Sequence, residues 1–166
     1  MNWWLLVGVP AVLIGAGAWV YASRLPATVT IAREAVVPAS TGRVYALVTD
    51  VAAQRRWRSD VRAVTVLDGG HAWIEHMKGG DIRFDTIERV PNALFEIAYR
   101  SDRGFSGRWR GEFAPDGPNA ARVSVVETTT TPSPITRLIG RLVAPPGAHA
   151  DLYLADLRRA LHDEKR

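Results

Sequence analysis

Cysteine is absent from the 166-residue chain. That excludes a disulfide framework, zinc–thiolate and iron–sulfur ligation, and a cysteine nucleophile. Lysine is nearly absent as well. The basic residues are 19 arginines and 2 lysines against 17 Asp+Glu, so the high pI reflects arginine chemistry and not the net charge, which is only +4. No run of five like charges occurs, and this argues against nucleic acid as a partner. HExxH, a Gly-rich phosphate loop and GxSxG are all missing. His71 and His76 lie five apart, on opposite faces of one predicted strand, and cannot chelate one metal together. No metal and no cofactor is expected. What is present, 47% hydrophobic and 23% charged residues, is globular composition.

Charge is also missing from the start of the chain. Every Lys, Arg, Asp and Glu lies at or after Arg24, and residues 3–22 form a charge-free apolar run. As a helix, twenty residues extend about 30 Å, the thickness of a bilayer core. Trp3 and Trp4 stand at one end of the run, Trp19 and Tyr21 at the other, in the manner of interfacial aromatic belts. Residues 1–23 are therefore expected to be a single-pass transmembrane anchor, with residues 24–166 as the domain behind it. The alternative is a cleaved signal peptide; the missing n-region cation and the length of the run weigh against it. Arg24 and Arg33 follow the run, so the positive-inside rule puts the domain in the cytoplasm. Gly8, Ala11, Gly15, Ala18 and Ala22 make one stripe of small residues where a second membrane helix could approach.

The remainder is long enough for one core. Thr28 to Val37 alternates and is β-branched, which predicts a strand. Ser40 or Thr41 caps a helix carrying Val44, Leu47, Val48 and Val51, and a short helical turn follows over Gln54 to Trp57. Six strands come next, over Val61–Leu67, His71–Lys78, Asp81–Val90, Leu94–Arg100, Phe105–Phe113 and Ala121–Thr131. The turns between them recur every 10 to 14 residues, which predicts an antiparallel meander. From Ser133 the chain is helical, broken at Pro145-Pro146-Gly147, and ends in an amphipathic stripe of Ala150, Tyr153, Leu154, Leu157 and Leu161. One curved sheet and one helix across it make an α+β layer pair.

This order resembles the SRPBCC superfamily, the START, Bet v 1 and polyketide cyclase/dehydrase group. The resemblance is carried by Val37-Pro38-Ala39, Val48-Thr49-Asp50, and Trp57 followed by Val61 and Val64. It continues in Gly70-His71-Ala72-Trp73-Ile74-Glu75, Arg122-Val123-Ser124-Val125 running to Glu127, Pro134-Ile135-Thr136-Arg137-Leu138 and Tyr153-Leu154-Ala155-Asp156-Leu157. It covers residues 28–162. Arg56 before Trp57 and the double proline in the terminal helix depart from the pattern. The resemblance implies a helix-grip fold, a sheet wrapped on a long C-terminal helix with an apolar cavity between them. Its members bind lipids, sterols, hormones and aromatic polyketides, and only some are enzymes.

The residues fit such a cavity. Phe105, Gly107, Trp109, Gly111 and Phe113 share one strand face, and the polar Ser106, Arg108, Arg110 and Glu112 share the other, so the first set faces inward. The glycines either leave gaps for a pocket or relieve curvature. Trp73, Phe84, Trp109, Phe113, Tyr153 and Leu157 are the expected ligand-binding residues. If Trp73 points inward, Glu75 does too; Glu127 shares a face with Val123 and Val125. A carboxylate in an apolar wall would have a raised pKa, so Glu75 and Glu127 are the catalytic candidates should the domain be an enzyme. The opposing reading pairs each with an arginine. The expected function is a membrane-anchored binding domain for a hydrophobic ligand, a lipid or lipid-like or aromatic metabolite. The alternatives are a cyclase/dehydrase-type enzyme using a buried carboxylate and an anchored interaction module with a filled core.

Overall fold

The computed structural model describes residues 15–163. Helix α1 covers residues 15–24 of them. Then come β1 (Thr28–Val37), α2 (Thr41–Thr49), a 3-10 turn and α3 (Gln54–Trp57). The meander follows as β2 (Val61–Leu67), β3 (Ala72–Met77), β4 (Gly80–Val90), β5 (Leu94–Ser101), β6 (Ser106–Pro115) and β7 (Ala121–Thr130). Helices α4 (Pro134–Val143) and α5 (Ala148–Asp163) close the chain. All seven strands form one antiparallel sheet in the order β1-β7-β6-β5-β4-β3-β2. This is the expected α+β helix grip.

Local chemistry sets the boundaries. Ser40 caps α2 by accepting from the Arg43 amide, and Ser133 caps α4 by accepting from the Thr136 amide. The β2–β3 reversal passes through Asp68, Gly69 and Gly70, all at positive φ, which is why two glycines stand there. Pro145 and Pro146 supply no amide to continue α4, and Gly147 at φ 92° turns the chain into α5.

Inward residues of the strands stack against α2 and α5. Val37, Val44, Val123, Leu157 and Leu161 are almost fully buried there. Burial of such side chains stabilises by about 1.5–3 kcal/mol each. Arg33 on β1 donates to Asp151 on α5 at 2.6 Å, tying the terminal helix to the first strand.

The expected single-pass membrane placement is corrected. Among the described residues no helix is long and apolar enough to cross a membrane. Residues 3–14 of the expected span, with Gly8 and Ala11, lie outside the described residues. Helix α1 is tied to the domain at its end. Ala22 is buried, and its carbonyl lies 3.5 Å from Arg137 Nη2 on α4. The small-residue stripe is therefore split, since Gly15 and Ala18 are exposed while Ala22 packs within the chain. Leu25, Pro26 and Ala27, which follow the apolar run, form part of a cavity wall.

Candidate functional site

A cavity of about 520 Å³ lies between the concave face of the sheet, α4 and α5. Strand register explains its composition. Ile31, Glu127, Trp109 and Ile97 are successive cross-strand partners on β1, β7, β6 and β5, and so form one row across the sheet. The next row is Val29, Thr129, Gly107, Tyr99, Phe84 and Trp73. Cross-strand partners on one face sit within contact distance, so two rows make a continuous wall.

The glycines on β6 are covered, not vacant. A Cβ on Gly107 would collide with the Thr128 carbonyl and the Tyr99 ring, and one on Gly111 would collide with the Trp109 ring. Each glycine lets an aromatic ring lie flat over the sheet. Over Gly107 the Tyr99 side chain crosses to β7. There its hydroxyl lies 2.5 Å from Thr129 Oγ1 and donates to Glu127 Oε1 at 3.0 Å.

Of the six expected ligand contacts, Phe84, Trp109 and Tyr153 line the cavity. Trp73 stands behind that wall, stacked at 5.2 Å on Phe84 and at 6.3 Å on Phe95, with no exposed surface. Phe113 packs edge-on to Tyr45 of α2 at 5.7 Å, and Leu157 is wholly buried in the core. Phe113 is kept from the cavity by α2, whose Tyr45 packs on it, and Trp73 by the rings stacked against it.

One end of the cavity is polar. Arg58, just after α3, is its hub, with a side chain only 5% exposed. Its Nη1 donates to Gln54 Oε1 at 2.7 Å and to Glu75 Oε2 at 2.8 Å. Its Nε and Nη2 donate to the two oxygens of Asp60 at 3.1 and 2.9 Å. The guanidinium also lies over the Tyr153 ring, 5.6 Å from its centroid. Glu75 Oε1 accepts from Trp73 Nε1 at 3.0 Å. Both Glu75 oxygens are thus engaged, and the group holds Arg58 in place.

His149, at the start of α5, lines the cavity with Nε2 3.1 Å from Asp60 Oδ2 and Nδ1 3.8 Å from Glu127 Oε2. Burial pulls its pKa down, but the Asp60 and Glu127 carboxylates outweigh this and raise it from 6.5 to about 9. The ring is an imidazolium at neutral pH. Asp60 is driven well below the usual carboxylate range: its burial is overcome by bonds to His149 and Arg58. Glu127 is a correction to the expectation of a raised pKa. Burial does raise it, but the His149 imidazolium, the Tyr99 hydroxyl and Arg58 bring it below its ordinary value, so it is ionised. Chemically, an acid (His149) and a base (Glu127) share one wall. Among the described residues no three His, Asp or Glu groups converge as a metal site.

Sequence reasoning named Glu75, Glu127 and Tyr153 at this end but not Arg58, Asp60, Tyr99 or Thr129. Thr129 was accessible by counting two residues on from inward-facing Glu127. Arg58 carried no signal separating it from Arg55, Arg56 and Arg62 nearby.

Residues 28–162 match the family described as "Polyketide cyclase / dehydrase and lipid transport". No curated protein sequence matches the chain. Among solved structures, the Zhui aromatase/cyclase from Streptomyces sp. R1128 superposes with a TM-score of 0.71 at 11% identity, covering 84% of this chain and 96% of that one. A START superfamily protein from Mycobacterium smegmatis gives 0.66 at 14% identity, covering 81% and 97%. Norcoclaurine synthase from Thalictrum flavum, in complex with dopamine and hydroxybenzaldehyde, gives 0.65 at 10% identity, covering 84% and 89%. At these identities the likeness is one of fold.

Proposed function

The chain belongs to the polyketide cyclase/dehydrase and lipid transport family, within the SRPBCC superfamily, and from that premise we propose that residues 24–166 bind a hydrophobic small molecule of aromatic or lipid-like character in the cavity under α4 and α5. The observation that carries this reading is the cavity itself. Its volume, about 520 Å³, lies within the range of ligand pockets, roughly 300–1,000 Å³. Its walls are mainly apolar and aromatic, including Phe84, Trp109 and Tyr153, with polar groups gathered at one end. That is the arrangement by which pockets bury a ligand's body and orient it through a few polar contacts. Apolar surface leaving water provides the affinity, at about 25 cal/mol per Å².

The test compares two neighbours on β6. Trp109 lines the cavity; Arg110 faces outward, paired with Glu96 and Glu112. Trp109→Ala should change the Kd of a fluorescent fatty-acid or aromatic probe by about tenfold, and Arg110→Ala by less than about twofold. Equal effects of the two substitutions, or no binding by the unaltered protein of any apolar probe, would refute the reading. Native mass spectrometry of the purified protein gives an independent measure, through the mass of any co-purified ligand.

A further inference from the structure

Hydrogen-bond accounting at the polar end of the cavity leads to a ligand class, and it rests on the binding reading above. The donors of Arg58, His149 Nε2 and Tyr99 are already committed, and the His149 Nδ1–H is directed at Glu127 from 3.8 Å. Arg58 gives its N–H groups to Gln54, Glu75 and Asp60. His149 Nε2 is spent on Asp60. Tyr99 has a single proton, and it goes to Glu127 Oε1; Thr129 then serves as donor to the Tyr99 oxygen.

The acceptors come out differently. Glu75 uses one oxygen for Arg58 and the other for Trp73. Asp60 uses both oxygens for Arg58, and one also faces His149. Of these three carboxylates, Glu127 keeps an oxygen that accepts no short hydrogen bond among the described residues. Its Oε2 faces the His149 imidazolium, whose Nδ1 at 3.8 Å makes an ion pair longer than a good hydrogen bond. Glu127 lines the cavity, and its side chain is only 16% exposed, so this oxygen has little bulk water to satisfy it. A largely buried carboxylate oxygen held only by a long ion pair gains from a ligand that brings a donor to hydrogen-bond distance.

We propose that the polar end of the cavity is an acceptor site that selects ligands carrying a hydroxyl, phenol or amine, which donates to Glu127, over isosteric ligands that carry no donor. The apolar body of such a ligand lies along Ile97, Phe84 and Trp109, which border the same two rows of the sheet. No bond is made or broken. The ligand's proton remains its own, shared with a carboxylate that is already ionised.

The experiment uses three probes of nearly equal size, naphthol, fluoronaphthalene and methoxynaphthalene, titrated calorimetrically into the full chain. Naphthol should bind about tenfold more tightly than either of the others, as expected for one hydrogen bond to an ionised acceptor. In Glu127→Gln that preference should fall to about twofold, because a neutral acceptor is weaker. Equal binding of all three by the unaltered protein would overturn the acceptor site and leave the binding reading standing. So would a naphthol preference that survives in Glu127→Gln. Failure of all three, and of longer apolar probes, to bind would refute the binding reading and this inference with it. The comparison among probes needs no variant, so it decides even if Glu127→Gln does not fold.

Discussion

Raising the pH should cost this protein stability through one side chain, His149. In the folded chain its imidazolium sits between Asp60 and Glu127, with Arg58 beside it, and its pKa is raised from 6.5 to about 9. A group whose folded pKa lies above its unfolded value stabilises fully below the unfolded value and loses that contribution as pH rises through the folded one. The window is therefore pH 6.5 to about 9. A move of this size corresponds to about 3 kcal/mol at full strength. The His149 side chain retains 47% of its surface, however, so solvent screening reduces the expected contribution to about 1–2 kcal/mol. Urea unfolding followed by tryptophan fluorescence, on the unaltered protein and on His149→Gln, isolates it. The stability difference between the two should be largest near pH 6 and shrink by about 1–2 kcal/mol by about pH 10. Other titrating groups cancel in that difference. A difference that is constant across the range would refute the pairing of His149 with both carboxylates.

Arg58→Met leaves the buried Glu75 and the half-buried Asp60 without their shared cation, and should destabilise by about 3–5 kcal/mol, measured as a lowered denaturant midpoint. A loss below about 1 kcal/mol would mean the hub is better hydrated than its burial indicates. Gly107→Ala places a methyl group against the Thr128 carbonyl and the Tyr99 ring, and should cost about 1–3 kcal/mol or more while displacing Tyr99. The change in the Tyr99 environment is measurable by NMR, and an unshifted Tyr99 spectrum would contradict it.

The strands were legible because their alternation and their turns agree. Predicted and observed strand ends differ by at most two residues, and the short helix over Gln54–Trp57 is where the spacing put it. Period two also gave the inward faces, so Trp109 and Glu127 could be placed on the cavity side before any register was known. What alternation could not give was depth. Trp73 and Phe84 are direct cross-strand partners on one face, yet Phe84 meets the cavity and Trp73 lies behind it, because layering depends on how rings stack. The sign of the Glu127 shift was misjudged for a similar reason. It depends on His149, which lies 22 residues away in sequence and is brought near only by α5. The apolar run ahead of Arg24 looked like a membrane span by hydropathy. Hydropathy carries no information on whether the end of that run is claimed by the domain, as Ala22 is.

Gly107 sits between Tyr99 and Thr129 in the cross-strand register and contributes no atoms to the polar end, yet it decides which residues do. Because it has no side chain, Tyr99 reaches across one full strand to deliver its hydroxyl to β7. Three positions far apart in the sequence are thereby locked into a single heritable unit. A tyrosine at 99 is useful only with glycine at 107, and a glycine at 107 leaves a hole in the wall unless a long ring at 99 covers it. Drift should treat the three as one character: in relatives that lose the tyrosine, a side chain at 107 becomes permissible and the residue at 129 is released from its partner. Remodelling of this cavity toward another ligand would then proceed by joint replacement along that row, while the apolar row beside it could change one residue at a time.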